Sequence, residues 1–205
     1  DIFCEPTVFN LEETRELAVE ALKLGYKLKI HADEFVPIGG TELGVELGAR
    51  SVEHLINITP AGLEKLASSR TAAVLLPGVS FFLMSDKKAP ARELIDRGAI
   101  VALASDFNPG SSNLLSMLLV LQLGVFTMKM TVEEALNACT INAAYALDRQ
   151  DEVGSIEAGK SFDLLLADLH SYIHLAYELG RNPVKTVIKQ GKIVVDEGQI
   201  KKYMA

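Results

Sequence analysis

Cysteine is scarce in this chain and is not arranged for cross-linking: Cys4 and Cys139 stand far apart, with no CxxC spacing. No disulfide framework is indicated, and both residues read as ordinary apolar positions in a reduced intracellular compartment. No run of 18 or more apolar residues occurs, and no basic segment followed by an apolar one opens the chain. The expectation is a soluble, cytoplasmic protein with no membrane partner. Basic charge is in deficit, with 20 Lys and Arg against 27 Asp and Glu, a net charge of −7. Those basic residues are scattered, which argues against nucleic acid and leaves a small-molecule substrate. Also missing are GxxxxGK[ST], a GxGxxG that follows a strand, and the GxSxG of a serine hydrolase elbow.

What is present is a core-forming composition: 49% of the 205 residues are hydrophobic, enough for one large domain or a domain with an appendage. LEETRELAVEALKL (11–24) carries its apolar residues on a helical stripe, with Asn10 as N-cap and Gly25 closing the end. After it come the strand KLKI, the turn PIGG with TELGVELGA, the strand SVEH, and a helix announced by Thr59-Pro60. TAAVLLP, KAPARELIDRG and IVALASD continue as strand, helix, strand, followed by helices near 113–123, 131–138 and 141–147.

Apolar strands alternating with amphipathic helices predict an α/β fold with a parallel sheet, here about five βα units of a (β/α)8 TIM barrel. From about residue 149 the pattern turns to strand and turn, with Gln190-Gly191 between apolar runs as a hairpin signal. The expected division is therefore a barrel portion, 1–148, and a β-rich appendage, 149–205. Five units cannot close a barrel. Together with the opening DIFC, which starts at Asp1 as if in mid-chain, this suggests a fragment lacking three upstream strands.

The strands stop at Glu5, His31, His54, Pro77 and Asp106. In a β/α barrel the catalytic face lies at those carboxyl ends. His31 has Asp33 and Glu34 close behind; the plain structural alternative is a core histidine bonded to a carbonyl. Glu34 can turn back to exchange a proton, or be a solvated loop residue. His54 is a second strand-end imidazole, or a structural cap. Asp106 puts a carboxylate at the mouth of a buried strand, a costly placement unless a cation or donors compensate; helix capping is the alternative. In SDFNPGSSN, Asn108 to Gly110 form a turn, and Ser111 or Ser112 is placed to cap a helix starting near Asn113. The same amide, hydroxyl and N–H groups would also cradle an anion. His170 and His174, four apart, are discounted as a metal pair because no HExxH surrounds them.

A His at one strand end, a His at the next and an Asp two strands later resemble the metal-dependent amidohydrolase superfamily. EALNACTINAAYALDRQDEVGSIEAGKSFDLLLAD and VIKQGKIVVDEG resemble that superfamily's return into a small β-sandwich. HADE, SVEH, SDFNPGSS, DIFCE and HLAYELGRNPV are similar to the imidazolonepropionase family, SDFNPGS being the most specific. The resemblance implies one zinc or iron ion with His31 and Asp106 as ligands, the other ligands coming from an HxH that this sequence lacks. It further implies Glu34, His54 and Asp106 as catalytic groups, and Glu34, Asn108, Gly110 and Ser111 on the substrate. The implied activity is hydrolysis of the cyclic amide of 4-imidazolone-5-propanoate in histidine degradation, by a homodimer. Two alternatives stand: a deaminase of the same superfamily acting on a nucleobase-like ring, and a catalytically incomplete structural piece.

Overall fold

A computed structural model describes residues 1–201. In chain order its first part is β1 (Ile2–Cys4), α1 (Leu11–Lys23), β2 (Lys29–Ala32), α2 (Gly40–Glu46), β3 (Ser51–His54), α3 (Pro60–Ala67), β4 (Ala72–Leu75), α4 (Pro77–Phe82), α5 (Ala91–Asp96) and β5 (Val101–Leu103). There follow α6 (Met117–Met128), α7 (Val132–Cys139), α8 (Ile141–Ala146), β6 (Leu164–Ala167), α9 (His174–Tyr177), β7 (Val184–Lys189), β8 (Lys192–Asp196) and β9 (Gln199–Ile200).

β1 to β5 form one parallel sheet in sequential order, as right-handed βα repeats require. Local signals place its helices. The Asn10 side chain accepts from the amides of Glu12 and Glu13 while the Glu13 carboxylate accepts from the Asn10 amide, a closed capping box. Thr59 accepts from Gly62 N at 2.8 Å, with Pro60 opening α3. Gly25 ends α1 at φ +82°, a conformation that costs a side-chain-bearing residue more.

Alternation along the strands divides the sheet's faces. Ile30, Ala32, Val52, Ala73, Leu75 and Val101 pack with Leu63, Leu66, Leu94 and Val120 in the layer between sheet and helices. Burying each of the larger side chains contributes about 1.5–3 kcal/mol. Lys29, His31, Glu53, Val74 and Ala102 face the other way and line a cavity. Near the amino ends of the strands that inner face is covered by α8, whose Ala146 clusters with Ala72, Val74 and Ala102. A set of polar ties fastens α8 there. Asn142 donates to Val101 O, Tyr145 OH donates to Arg70 O, and Asp148 pairs with Lys27 and Arg50.

The antiparallel sheet β6-β7-β8-β9 is the β appendage expected after residue 149. Gln190 and Gly191, at φ +49° and +77°, make the β7–β8 turn as their sequence predicts, both residues left-handed. Gln122 of α6 donates to the carbonyls of Leu175 and Glu178, joining the α9 region to the helical layer.

Two expectations need correction. The helix placed at 113–123 runs from Met117 to Met128, and its cap is Ser116, accepting from Leu119 N, not Ser111 or Ser112. Those serines are held in the preceding loop, where Ser112 Oγ donates to Ser105 O and Ser111 N donates to Asn108 Oδ1. Strand ends also shift: His31 is the third residue of β2 rather than its last, and Asp106 lies beyond β5, in the loop. The short α4 and α9 lie below the length at which periodicity is legible.

Gly44 brings α2 against β3, where a Cβ would meet Val52 Cγ1 at 2.5 Å. Overpacking against a stiff β-branched neighbour costs about 1–3 kcal/mol, partly offset by about 1 kcal/mol of helix propensity. Gly44→Ala is expected to lower the urea midpoint. A raised midpoint would mean that α2 does not press on β3 as described.

Candidate active site at the carboxyl ends of the strands

Parallel register sets the site. Phe3 pairs with His31, His31 with Glu53 and Ala32 with His54, so neighbouring strands deliver their last side chains to one level. The chain then reverses direction sharply. Asp33, His54, Leu55 and Asp106 all adopt left-handed φ, at +53°, +74°, +60° and +48°. Side-chain-bearing residues held there cost about 1–3 kcal/mol each and persist where surrounding structure enforces them. Here Leu55 N donates to Ala32 O and Asn57 N to Asp33 O, tying the β3 exit to the β2 exit.

The reversal at Asp33 separates the two acids of HADE. Asp33 turns outward, accepting from Thr41 N and Thr41 Oγ1 at the start of α2, so it is not part of the cavity. Glu34 turns inward. His31 Nε2 lies 3.3 Å from Glu34 Oε2, His54 Nδ1 lies 3.5 Å from Glu34 Oε1, and His54 Nε2 lies 3.9 Å from Asp106 Oδ2. The two imidazole centroids are 4.1 Å apart. All four residues line one cavity of about 460 Å³, joined by Asn108 and Ser111.

Asn108 spends its amide on the loop. It donates to Asp106 O and Oδ2, at 2.7 and 3.2 Å, and accepts from the amides of Gly110 and Ser111. Gly110 is exposed and outside the cavity lining, its N–H taken by Asn108. His170 and His174, 6.0 Å apart between centroids, lie outside the cavity lining.

Burial governs the electrostatics. Desolvation, with the facing His54, pushes the His31 pKa down to about 3, and desolvation pushes that of His54 down to about 4. Both imidazoles are therefore neutral and offer lone pairs at physiological pH. Desolvation, then Asp106 and Glu5, raises Glu34 to about 7, near the optimum for a group that both takes and gives a proton. Desolvation also raises Asp106.

These groups fit a cation. His31 Nε2 and His54 Nδ1 are buried with no hydrogen-bond partner among the described residues, their approaches to Glu34 being close but outside bonding geometry. One donor atom each from His31, Glu34 and His54 falls within 4.8 Å of the others. Unpaired buried lone pairs at that spacing suit a metal ion, which would compensate the desolvation of the carboxylates.

Three features of the site go beyond the residues singled out from sequence. Lys29, Ser51 and Glu53 form a polar layer on the cavity floor, with Lys29 Nζ 3.1 Å and Ser51 Oγ 2.5 Å from Glu53 Oε1. Strand alternation carries the signal for it: Lys29 and Ser51 share a face with His31 and Glu53. Glu5, noted only as a strand stop, is buried beneath the loop that bears Glu34. Asn57, past β3, donates to the carbonyls of Glu34 and Phe35 and has no sequence signal.

Parallel βα units whose strand ends gather imidazoles and carboxylates around one cavity are the arrangement of a β/α-barrel site. The chain belongs to the amidohydrolase family, whose sequence profile matches residues 5–194. It is 46% identical over 198 residues to the imidazolonepropionase of Bacillus cytotoxicus, a match covering 97% of this chain and 47% of that protein. It is 47% identical over 200 residues to the imidazolonepropionase of Alkaliphilus oremlandii, covering 98% and 47%. The chain thus spans about half the length of the curated relatives it matches. In fold it is similar to an adenosine deaminase from Xanthomonas campestris with bound zinc (TM-score 0.82, 22% identity, 99% of this chain and 52% of that one). It is also similar to atrazine chlorohydrolase TrzN from Arthrobacter aurescens, complexed with zinc and atraton (TM-score 0.74, 19% identity, 97% and 50%). At these identities the solved structures speak to the fold alone.

The pKa shifts fix the sign of a pH response in chelator-treated protein. Below pH 6.5 the unfolded chain binds protons that folded His31 and His54 refuse, so the stability carried by the neutral imidazoles, complete above 6.5, is lost as pH falls toward 4 and 3. Glu34 has the opposite sign: its raised pKa favours acid, and stability falls as pH rises from 4.5 through 7. His54→Gln should flatten the acid limb of midpoint against pH, and Glu34→Gln the neutral limb. An acid limb unaltered by His54→Gln would show that this imidazole already binds its proton in the fold.

Proposed function

We propose that the whole protein is a metal-dependent cyclic amidohydrolase that converts 4-imidazolone-5-propanoate to N-formimidoyl-L-glutamate in histidine degradation. The observation that carries the reading is the convergence of His31, Glu34, His54 and Asp106 on one cavity. It is supported by near-half identity to imidazolonepropionases along almost the entire chain.

His31 and Asp106 would hold a single zinc or iron ion, together with ligands outside this chain. When bound, the ion supplies Lewis acidity that brings ionisation of water into the neutral range. Asp106, its carboxyl raised by burial and its Oδ2 steadied by Asn108, accepts the proton of the attacking water. His54, neutral at working pH, donates a hydrogen bond to the oxygen that becomes negative as the ring carbonyl is attacked. Glu34, balanced near pH 7, orients the substrate and passes a proton to the departing ring nitrogen. Ser111 grips the substrate from the cavity wall, while Asn108 and Gly110 contribute by shaping the loop they share with it, unless substrate displaces one of the bonds Asn108 makes there.

The proposal extends to a barrel portion at 1–148, a β-sandwich appendage at 149–205, a homodimer and a cytoplasmic location. No helix of the described residues is long and apolar enough to cross a membrane.

Loss of imidazolone absorbance without ammonia release is the expected signature, and ammonia release from a nucleobase would favour a deaminase instead. Asp106→Asn should lower both metal content and ring opening, the latter by at least about 100-fold. Turnover retained by that variant would refute the assignment. Metal content should survive Glu34→Gln while turnover falls; a metal-free Glu34→Gln protein would instead make His31, Glu34 and His54 the ligand set.

A further inference from the structure

Glu34 sits in a loop anchored before it by Asp33, bonded to Thr41, but not by the side chains that follow it. Phe35 and Val36 are 58% and 45% exposed, so side-chain packing does little to hold the segment while Glu34 itself is buried. Its backbone is gripped from two sides. Glu5, 1% exposed at the exit of β1, accepts from Glu34 N and Phe35 N through Oε1, at 2.9 and 3.0 Å, and from Val36 N through Oε2 at 3.2 Å. Asn57, beyond the exit of β3, donates through Nδ2 to Glu34 O at 2.6 Å and Phe35 O at 3.3 Å. Lys87 Nζ, 3.0 Å from Asn57 Oδ1, orients that amide.

A carboxylate out of water needs charge-stabilising donors. The side-chain hydrogen bonds of Glu5 are to this loop, and the other close approach of its carboxyl is to His31 Nε2 at 3.6 Å. A buried acid bonded to three consecutive amides is costly if it serves the core alone, since an apolar residue could fill the space. It makes sense where three N–H groups must be held at fixed points.

We propose that Glu5 is a positioning residue: with Asn57 it clamps the backbone of residues 34–36 and so aims the Glu34 carboxyl between His31 and His54. The inference rests on the catalytic role given to Glu34 above. Neither clamp residue reacts. Each acts through the placement of Glu34, where displacement by about 1 Å costs up to about 100-fold in rate.

The test is a double-mutant cycle in the whole, metal-loaded protein, with amide hydrogen exchange as a readout independent of turnover. Glu5→Gln removes the charge and one acceptor. It should speed exchange at 34–36 and lower kcat by about 10- to 100-fold with little change in KM, yet cost almost nothing further in a Glu34→Gln background. Additive losses, or unaltered exchange at 34–36, would overturn the proposal. If Glu5→Gln does not fold, Asn57→Ala, on the less buried side of the loop, should show the same pattern at smaller size, and a fully additive result there would also overturn it. Wild-type protein that leaves the imidazolone ring closed, while Glu5→Gln still speeds exchange at 34–36, would refute the proposed reaction and support the clamp.

Discussion

Desolvation of ionisable side chains at one end of a parallel sheet is the constraint on which the rest of this structure turns. His31, Glu34 and His54 are all nearly out of water, and Asp106 is partly so. Left alone they would carry a heavy electrostatic penalty, and it is visible in depressed imidazole and elevated carboxyl pKa values. Much around them reads as a response to that penalty. The register of β2 and β3 sets His54 one residue beyond His31, the left-handed exits at Asp33, His54 and Asp106 turn the chain out of the sheet, and Asn108 braces the last acid. The clustering is unfavourable as packing and useful as chemistry, because neutral imidazoles and a carboxyl balanced near pH 7, that of Glu34, are what a cation and a mobile proton need.

The scaffold was legible in the sequence to a large degree, and the reasons are specific. Asn10 with Glu13, and Thr59 with Pro60, announce helix starts through backbone chemistry that acts over three residues, and both starts fall where those signals put them. Gln190-Gly191 likewise specifies its own turn. The start of α6 differs from the sequence reading because Ser111 and Ser112 have the chemistry of a cap yet the cap is Ser116. Bonds from Ser112 to Ser105 and within the Asn108 loop occupy the other two serines.

At the site, His31, His54 and Asp106 meet because β2, β3 and the loop after β5 open on the same edge of the parallel sheet, although only His54 is the last residue of its strand. That Glu34 points in and Asp33 points out depends on one left-handed peptide, which no pattern of residue types declares. The family resemblance supplied what spacing does not, the assignment of particular roles to these groups. The bonding of Glu5 and Asn57 has no sequence signal for the same physical reason: their partners are backbone amides and carbonyls, and the backbone is the same in every sequence.

The opposite end of the sheet is closed differently. There α8 covers the strand starts, and Asn142, Tyr145 and Asp148 reach residues beside them across long stretches of chain. Chemistry thus occupies one pole of the β/α unit and much of the mechanical fastening the other. The two poles share a wall, since Ala143, Ala146 and Leu147 line the same cavity as the imidazoles, so a substitution that loosens α8 also reshapes the space in front of His31 and His54.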